Sequence, residues 1–269
     1  MAPTTSRART TKRAARPSRP VEPKTLAIDI GGTGLKATVL DANGTMMCER
    51  VRVETTYPVG PSDMVEQLQA LVRPLPRFDR VSIGFPGVVR NGHVVTAPHF
   101  ITVHGPGTEI DPQLRAEWVG FDLAGALRTA LRRPARLMND ADLQGLGAAE
   151  GKGVEVLVTL GTGLGSAVLV DGVLGPHLEL AQHGFRRDET YNEQLGDRAR
   201  KRIGSKKWNR RLARAFDSLQ TLFTYDHLYV AGGNTRHITL KLPPEITIVD
   251  PAFEFRGALR LWDDTRTRP

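Results

Sequence analysis

The sequence predicts an α/β protein made of two related domains that face each other across a cleft. Three observations lead to this fold class. Short β-rich runs alternate with stretches of helical periodicity along the 269 residues. A strand, a glycine-rich loop and a second strand occur near residue 30 and again about 130 residues later. With 25% charged and 40% hydrophobic residues, the chain has the composition of a globular protein and the length to bury two cores.

The first of these units opens the part of the chain that is predicted to be ordered, which begins near Lys24. Residues 25–30 form a short apolar strand that ends at a glycine-rich bend, residues 31–34. Residues 35–40 resume the strand pattern before a turn at residues 41–44. This region is therefore predicted to be a β-hairpin with a glycine-rich bend.

The second unit has the same order of elements. Strands are predicted at residues 156–160 and 166–170, with a glycine-rich loop at residues 161–165 between them and a turn at Asp171-Gly172 after them. The repetition implies two structurally related halves, and a ligand site is expected in the cleft between them.

The remaining elements follow from periodicity and from start and stop signals. Ser62 is the expected N-cap of a helix at residues 62–72, and Asp142 is the expected cap of a helix at residues 142–150. Residues 99–112 are predicted to be irregular because glycines and prolines interrupt them. Further helices are predicted at residues 122–131, 191–223 with a break at 204–205, and 253–261; further strands are predicted at residues 81–85, 135–138, 227–231 and 246–249, with a hairpin turn at Asn91-Gly92.

Cysteine content and hydropathy exclude several classes of protein. The single cysteine, Cys48, cannot form an internal disulfide or a zinc site of the Cys-x-x-Cys type. No apolar run approaches the ~20 residues that span a bilayer, and the N-terminus lacks the apolar region of a secretory signal. A cytoplasmic location is therefore expected.

The N-terminal 24 residues carry most of the net charge. They contain seven Lys or Arg residues and one acid, Glu22, which accounts for +6 of the formal +8. Their composition cannot bury enough apolar surface to offset the entropy of ordering, so residues 1–24 are predicted to be a disordered basic tail. A solvated extension and an arm that attracts polyanions both remain open as its role.

Glycine-rich loops between strands suit the binding of phosphate. Without Cβ atoms, their backbone N–H groups approach an anion closely and positive φ is allowed. The loops at 31–34 and 161–165, with a third at 232–234, suit a chain of phosphate groups. Neither of the first two has the Walker pattern or opens a helix in a βαβ unit, which excludes P-loop and dinucleotide-binding proteins. Phosphoryl transfer on a fold that binds phosphate between hairpins is the chemistry that remains.

Two carboxylates are predicted to stand at the ends of strands. Asp29 ends the first strand, where it either holds Mg²⁺ through water or caps the turn. Asn139 and Asp140 follow the strand at 135–138 and precede a helix, so they form either an N-cap pair or part of a catalytic site. In the second case a carboxylate accepts the proton of an attacking hydroxyl, a step worth about 10²–10⁴ in rate.

Four segments together resemble the ROK family of sugar kinases and repressors. The resemblance extends over residues 25–262, in order and spacing, and is closest to the bacterial polyphosphate glucokinases. It implies an actin-like (ribonuclease H-like) fold, with domains at 25–140 and 141–251 and a helix at 252–262 that packs back on the first domain. The segments are Asp29-Ile30-Gly31-Gly32-Thr33-Gly34-Leu35-Lys36, Asn139-Asp140-Ala141-Asp142, Leu160-Gly161-Thr162-Gly163-Leu164-Gly165 and Gly232-Gly233-Asn234.

The resemblance implies a role for each matching position. Asp140 is expected to be the base that deprotonates the 6-hydroxyl of the sugar, and Asn139, Glu179 and Gly87 are expected to line the sugar pocket with it. Mg²⁺ is expected to accompany the phosphoryl donor, held by Asp29 through water. The expected donor-binding positions are Asp29, Gly31, Gly32, Thr33 and Lys36 in the first loop, Gly161, Thr162, Gly163 and Gly165 in the second, and Gly232, Gly233 and Asn234 in the third.

Three departures from the family pattern concern the metal and the sugar. The zinc-binding cysteine cluster of many members is missing, so no structural zinc is expected. Residues 179–182 read Glu-Leu-Ala-Gln where the family often has Glu-Leu-Gly-His, and His183 stands one place late. His99 stands about where a sugar-contacting Asn is common. The resemblance as a whole implies glucose or a related hexose as the acceptor.

Residues 197–214 hold nine basic residues and a single acid, Asp197. This run is either a solvated basic face or a track for a long polyanion that leads to the phosphate loops. The charge and the resemblance both favour inorganic polyphosphate as donor, with ATP as an additional candidate. The expected track consists of Arg198, Lys201, Lys206, Lys207 and Arg210.

The sequence thus predicts a kinase that moves a terminal phosphoryl group from polyphosphate to the 6-hydroxyl of glucose. No nucleic-acid partner is expected, because aromatic residues are only 6%, no zinc-finger or RRM-type pattern is present and no helix-turn-helix pattern precedes residue 25. No membrane partner is expected, because no apolar run is long enough to span a bilayer. An ATP-dependent hexokinase for another sugar and a silent sugar sensor remain as alternatives, although the presence of Asp140 disfavours the sensor. By analogy with related folds, a homodimer is expected.

Overall fold

The computed structural model describes residues 22–250 and 253–267. Its strands are β1 Thr25–Gly31, β2 Gly34–Leu40, β3 Val51–Val53, β4 Arg80–Phe85, β5 Val89–Arg90, β6 His93–Val94, β7 Ala135–Asn139, β8 Val154–Leu160, β9 Leu164–Val170, β10 Val173–Leu174, β11 Gly184–Arg186, β12 Glu189–Thr190, β13 His227–Ala231 and β14 Ile246–Ile248. Its α-helices are α1 Pro61–Val72, α2 Pro112–Trp118, α3 Leu123–Leu131, α4 Asp140–Ala148, α5 Tyr191–Leu195, α6 Asp197–Ile203, α7 Ser205–Phe223 and α8 Phe253–Arg260, and its 3-10 helices are Leu180–Gln182 and Gly233–His237.

Two five-stranded sheets with the same topology form the framework. In the first, with strand order β3-β2-β1-β4-β7, β1 pairs antiparallel with β2 and parallel with β4. In the second, with strand order β10-β9-β8-β13-β14, β8 pairs antiparallel with β9 and parallel with β13. The two glycine loops therefore occupy equivalent places in the two sheets. The predicted α/β fold class and the predicted repetition of the hairpin are confirmed.

Each sheet packs against its own helices through a separate apolar core. Helices α1 and α3 cover the first sheet, where the rings of Phe85, Phe100 and Trp118 are buried with centroids 5.4 to 5.7 Å apart. Helix α7 covers the second sheet and buries Trp208 and Phe216. Because full burial of one large apolar side chain contributes about 1.5–3 kcal/mol, these cores hold both hairpins in place.

Helix α4 lies between the two sheets. It contacts β4 and β7 of the first sheet and β8 and β9 of the second, while α8 packs along it and also contacts β1 and β4. A Cβ atom at Gly145 would lie 2.6 Å from the Cβ of Ala167 on β9, so the close approach of α4 to the second sheet requires glycine there. The N-terminus of α4, which begins at Asp140, is therefore fixed against both sheets.

The predicted N-caps of two helices are wrong. Gly60, not Ser62, is the N-cap of α1, because Pro61 occupies the first helical position, where no N–H group is needed. Asn139, not Asp142, caps α4, and the helix begins two residues earlier than predicted. The Asp142 carboxylate instead turns toward a histidine of the second half of the chain.

Three smaller differences concern short elements. Helix α2 was not predicted, although Asp111 caps it through the N–H groups of Gln113 and Leu114 and is followed by proline, a recognisable start signal. The long helical region is divided at Gly196 as well as at the predicted break. The third glycine loop continues directly into a 3-10 helix.

The predictions for the tail and for the domain boundaries stay predictions. Residues 1–21 of the tail lie outside the described residues, and residues 22–24 have no regular secondary structure. The predicted boundary between the domains falls at the start of α4, which contacts both sheets. Throughout residues 22–250 and 253–267, no helix combines the length and the apolar character needed to cross a bilayer.

Candidate active site

Asn139, at the junction of β7 and α4, forms the base of the candidate site. Its side-chain oxygen accepts hydrogen bonds from the N–H groups of Ala141 at 2.8 Å and Asp142 at 3.1 Å. Its amide nitrogen donates to the carbonyls of Gly87 at 3.1 Å and Phe85 at 3.5 Å. The buried amide thus caps α4 and fastens the Gly87 loop to it, so the N-cap alternative holds for this residue. Its role as a sugar ligand stays a prediction.

Asp140 is the first residue of α4, and its carboxylate Oδ1 accepts a hydrogen bond from the Ala141 N–H at 2.8 Å. Burial raises the pKa of Asp140 to about 7, with additional increases from the carboxylates of Asp29 and Asp142. The Ala141 N–H and His177 oppose this increase. A carboxyl with a pKa near neutrality suits a general base, because it is available in its basic form and still holds a proton readily.

Asp29 and Lys36 face each other across the first hairpin. They are register partners of β1 and β2, and the Lys36 Nζ lies 2.7 Å from the Asp29 Oδ2. On its other side Asp29 neighbours Gly84 of β4, where an added Cβ would lie 3.6 Å from the Asp140 Cα. The start of α4 therefore packs against β4 beside the end of β1, which places Asp140 near Asp29.

The first glycine loop is held by hydroxyl groups from outside the hairpin. The Thr55 hydroxyl donates to the Gly31 carbonyl and the Tyr57 hydroxyl donates to the Gly32 carbonyl, both at 2.7 Å. The ring of His99 packs over Gly32, and burial lowers the pKa of His99, which favours the neutral ring. Within the part of the chain that the structure describes, no hydrogen bond uses the backbone N–H groups of Gly32 and Thr33.

The second glycine loop is held by amides. The Asn192 side-chain oxygen accepts from the Leu164 N–H at 3.1 Å, and the Asn234 side chain donates to the Gly161 carbonyl at 2.9 Å. Asn234 belongs to the third predicted loop, so the third loop is hydrogen-bonded to the second through this side chain. As in the first loop, two consecutive backbone N–H groups, those of Thr162 and Gly163, make no hydrogen bond among the described residues.

The third predicted loop, with Gly165 of the second, closes the site from the side of the second sheet. Gly232 packs against the end of β8 with a φ of +95°, and Gly233 follows with open space around it. At Gly165, an added Cβ would lie 2.9 Å from the Cβ of Ala141, the neighbour of Asp140. The structure therefore brings the second loop to the same helix end that carries Asp140.

His177 was not singled out from the sequence, although it links two carboxylates of this region. Its Nδ1 lies 2.7 Å from Asp142 Oδ2 and its Nε2 lies 3.2 Å from Glu179 Oε1, the predicted sugar ligand. Burial raises the pKa of Asp142, whereas its hydrogen bond with His177 opposes that shift. No spacing rule reveals this contact, because His177 and Asp142 are 35 positions apart and belong to different elements.

The predicted polyanion track is only partly free to bind an anion. Helix α6 starts beside the second loop, where the Asp197 N–H donates to the Gly161 carbonyl at 3.1 Å. Lys201 is ion-paired with Asp197 at 2.7 Å. The other four predicted residues are exposed, and no carboxylate of the described chain lies within 4.0 Å of them: they are Arg198, Lys206, Lys207 and Arg210.

Arg211, beside this track, was not part of the prediction. Its Nη1 is buried without a hydrogen-bond partner among the described residues. Burial lowers the pKa of Arg211, and the neighbouring guanidinium groups of Arg186, Arg202 and Arg187 lower it further, against the opposing Glu189. Four arginines from β11, the following turn, α6 and α7 thus form a concentrated positive region beside the predicted track.

The donor set near Asp29 fits a hydrated Mg²⁺ ion. Asp29 Oδ2 binds Lys36, whereas its second oxygen accepts no hydrogen bond from the described residues. Mg²⁺ commonly keeps several waters and binds through one or two carboxylates and the phosphates of a substrate. No group of three or more His, Cys, Asp or Glu side chains within the described ranges could hold a metal ion. This arrangement agrees with a Mg²⁺ ion that binds together with the donor. The prediction that the protein has no structural zinc stays a prediction.

Two cavities lie against the first sheet. A groove of about 520 Å³ lies between β3 and α1 and includes none of the predicted residues. A pocket lined by Asp29 and Lys36 has only about 10 Å³, which is at the lower limit for a single water molecule.

Two sheets with one topology, on either side of a helix that begins with a carboxylate, define an actin-like fold. The chain belongs to the ROK family, whose sequence model matches residues 25–176. The predicted family is thus confirmed.

Individual relatives cover most of the chain. The polyphosphate glucokinase of Mycobacterium tuberculosis (strain CDC 1551 / Oshkosh) is 27% identical over 77% of this chain and 76% of that protein. Among solved structures, the inorganic polyphosphate/ATP-glucomannokinase from Arthrobacter sp. strain KM has a TM-score of 0.73 and 28% identity, covering 89% of this chain and 98% of that one. A ROK family glucokinase from Streptomyces griseus has a TM-score of 0.68 at 17% identity, with 88% and 98% covered, which shows the shared fold alone.

Proposed function

We propose that this chain is a sugar kinase that transfers the terminal phosphoryl group of inorganic polyphosphate to the 6-hydroxyl of glucose. The single observation that carries the proposal is Asp140, whose pKa of about 7 and position at the start of α4 suit a general base beside two phosphate-binding loops. Membership of the ROK family supports the reaction class. The names of the Mycobacterium and Arthrobacter relatives support polyphosphate as donor and a hexose as acceptor.

On the acceptor side, Asp140 would take the proton of the attacking hydroxyl. The sugar oxygen forms a bond to the terminal phosphorus, the bond from that phosphorus to the bridging oxygen of the donor breaks, and the hydroxyl proton passes to the Asp140 carboxylate. The donor leaves one phosphate shorter. Glu179, whose side chain is 41% exposed, would bind other hydroxyls of the sugar and orient it.

On the donor side, the two glycine loops would bind phosphate through their unused N–H groups. Gly32 and Thr33 offer one pair, and Thr162 and Gly163 offer the other. Lys36 would stabilise the charge of the phosphoryl group in transfer. When bound with the donor near Asp29, Mg²⁺ would neutralise phosphate charge.

The unpaired cations favour a donor longer than ATP. Arg198, Lys206, Lys207 and Arg210 have no carboxylate partner among the described residues, and the Nη1 atom of Arg211 is buried without an acceptor among them. Each phosphate that contacts such a cation releases a counterion, so a long polyanion gains more than a triphosphate does. This arrangement supports polyphosphate as the preferred donor, with ATP as a second one.

The test of this proposal measures formation of glucose 6-phosphate with Mg²⁺ and with long-chain polyphosphate, ATP or GTP as donor, over a panel of hexoses. We expect turnover with polyphosphate and glucose to exceed turnover with ATP. Turnover with nucleotides alone would replace the proposal by an ATP-dependent hexokinase. No turnover with any pair, together with retained binding of a hexose, would replace it by a sugar sensor.

The contribution of the basic helices is tested by charge reversal. The test variant replaces three exposed cations by Glu: Lys206, Lys207 and Arg210. It should raise the KM for long polyphosphate about tenfold more than the KM for ATP. The KM for polyphosphate should also depend less steeply on salt. Arg77, Arg115 and Arg128 are exposed cations of the first half of the chain, and their triple change to Glu is the matched control. Equal effects of the two triple variants on both donors would show that these helices are a solvated face.

The predicted homodimer is part of this proposal by analogy only. Sedimentation of the purified chain at several concentrations would decide between a dimer and a monomer.

A further inference from the structure

His177 lies between two carboxylates at the edge of the proposed sugar site. Its side chain is 13% exposed and that of Asp142 is 6% exposed, whereas that of Glu179 is 41% exposed. The contacts of 2.7 Å to Asp142 and 3.2 Å to Glu179 use both ring nitrogens. The three side chains therefore form a chain that runs from the first turn of α4 to the partly exposed carboxylate of Glu179.

The geometry of His177 fits a doubly protonated ring when both carboxylates are ionised. An ionised carboxylate only accepts hydrogen bonds, and a neutral imidazole has a single N–H group, so one ring nitrogen would direct its lone pair at a carboxylate oxygen. The imidazolium donates to both partners. Burial lowers the pKa of His177, but the hydrogen bonds and charges of Asp142 and Glu179 outweigh burial and raise the pKa to about 10.

We propose that His177 is a positioning residue which, as an imidazolium, holds the Glu179 carboxylate in the cleft and ties it to the helix turn that carries Asp140. The inference rests on the proposed function, in which Glu179 binds the sugar. Glu179 Oε1 contacts His177, and the second carboxylate oxygen accepts no hydrogen bond from the described residues. A fixed, charged acceptor of this kind selects a substrate that presents a free hydroxyl group to it.

His177 also bears on the charge around Asp140. The groups that face Asp140 are Asp142 on its own helix, Asp29 at the end of β1, and His177 on the segment before the 3-10 helix. The two carboxylates raise the pKa of Asp140 and His177 lowers it. Loss of the imidazolium therefore raises the pKa of Asp140, and the acid limb of kcat/KM moves to higher pH.

Two variants separate the charge of His177 from its geometry. His177→Asn removes the charge, and we expect it to raise the KM for the sugar about tenfold, as the loss of a hydrogen bond to a charged group does, with a smaller change in kcat. We also expect its acid limb to move to higher pH. His177→Lys keeps a cation, so its acid limb should stay near that of the unaltered protein although its KM also rises.

The control is a histidine with a neutral partner. His227 Nε2 lies 3.0 Å from the hydroxyl of Thr247, where β13 pairs with β14. This contact is remote from the glycine loops. His227→Asn should therefore change neither the KM for the sugar nor the acid limb. An unchanged KM and an unchanged acid limb in His177→Asn would overturn the positioning role.

A second measurement decides the protonation of His177 without any turnover. In ¹⁵N NMR spectra of the full-length protein, the signals absent from His177→Asn identify the ring nitrogens of His177. Both should carry protons at pH 8, whereas titration at about 6.5, the ordinary value for histidine, would overturn the inference. Because this spectrum needs no substrate, it separates failure of the His177 inference from failure of the proposed kinase activity, which would show as an inactive unaltered protein.

Discussion

The two glycine loops occupy equivalent places in the two sheets, but they differ in length and in surroundings: two residues separate the last strand pair in the first hairpin and three in the second. In the first hairpin, Asp29 and Lys36 form an ion pair beside the loop, and Asp140 lies next to Asp29. In the second hairpin, the residues at the same register positions, Val158 and Ser166, carry no charge. The first loop is thus surrounded by groups that can move a proton and stabilise charge, while the second is not.

The supports of the loops differ in the same way. Hydroxyl groups of Thr55 and Tyr57 hold the carbonyls of the first loop, whereas the amides of Asn192 and Asn234 hold the second. The second loop also lies at the start of the basic helix α6. In the proposed function, repetition of this unit would supply two anion sites, and the elements outside the repeat would give the acceptor chemistry to one and the binding of the donor chain to the other.

The largest expected effect comes from Asp140, because the second hairpin has no equivalent group. Asp140→Ala should lower kcat about 10³-fold, within the 10²–10⁴ range for a general base, and leave the Kd for the sugar within about threefold. Steady-state kinetics and calorimetry of sugar binding measure the two quantities. Asp217→Asn, an exposed carboxylate of α7, is the control. A kcat for Asp140→Ala near that of the unaltered protein would show that Asp140 is not the base.

A smaller effect is expected from the ion pair of the first hairpin. Lys36→Met removes the positive charge that would stabilise the phosphoryl group during transfer. We therefore expect kcat to fall about 10²-fold with little change in the KM for the sugar. Lys241→Met, in an exposed loop, is the control. If this variant changed only the KM for the donor, the first loop would have the binding role that we assign to the second.

The second loop is expected to affect binding of the donor more than turnover. Asn234→Ala removes the hydrogen bond to the Gly161 carbonyl, and Gly163→Ala places a Cβ 2.8 Å from the Asn192 side-chain oxygen. Each should raise the KM for polyphosphate about tenfold, because each disturbs a hydrogen bond that holds the second loop, and change kcat less. Gly184→Ala, with no atom near its added Cβ, serves as control. A fall in kcat comparable to that of Lys36→Met would mean that the two loops share one role.

The smallest expected effect is on stability. The pKa of Asp140 is about 7 in the folded protein and 3.8 as its ordinary value, so the folded state holds the proton more tightly. Stability is therefore lost as pH rises from about 4 to about 7 and stays low above that range. Asp140→Asn, which has no proton to lose, should raise Tm by a few degrees at pH 8, since about 1 kcal/mol corresponds to about 2–4 °C in a protein of this size. At pH 4 the two Tm values should coincide, and a lower Tm for Asp140→Asn at pH 8 would contradict the raised pKa.

Much of this arrangement could be predicted from the sequence. Glycine clusters between β-rich runs predict both hairpins, because glycine is the residue that permits such bends. The strand that ends at Asn139 and the helix after it are also predicted, although the start of the helix is two residues off. These features depend on residues that are neighbours in the chain.

The features that escaped prediction depend on contacts between distant residues. Asp142 stands in the sequence where a helix cap is expected, yet its carboxylate forms a hydrogen bond with His177 and does not cap the helix. Arg211 is one of nine cations in a run, and only the fold places Arg186 and Arg187 beside it. A motif therefore predicts the backbone of this site, whereas the charge around Asp140 is decided by side chains that tertiary packing brings together.

The dependence of kcat/KM for glucose on pH, measured with polyphosphate as donor, tests whether Asp140 is the base. With Asp140 as the base and its pKa at about 7, kcat/KM should fall tenfold for each unit of pH below 7. A profile that stays flat down to pH 5 would contradict the assignment of Asp140, and with it the division of labour between the two loops.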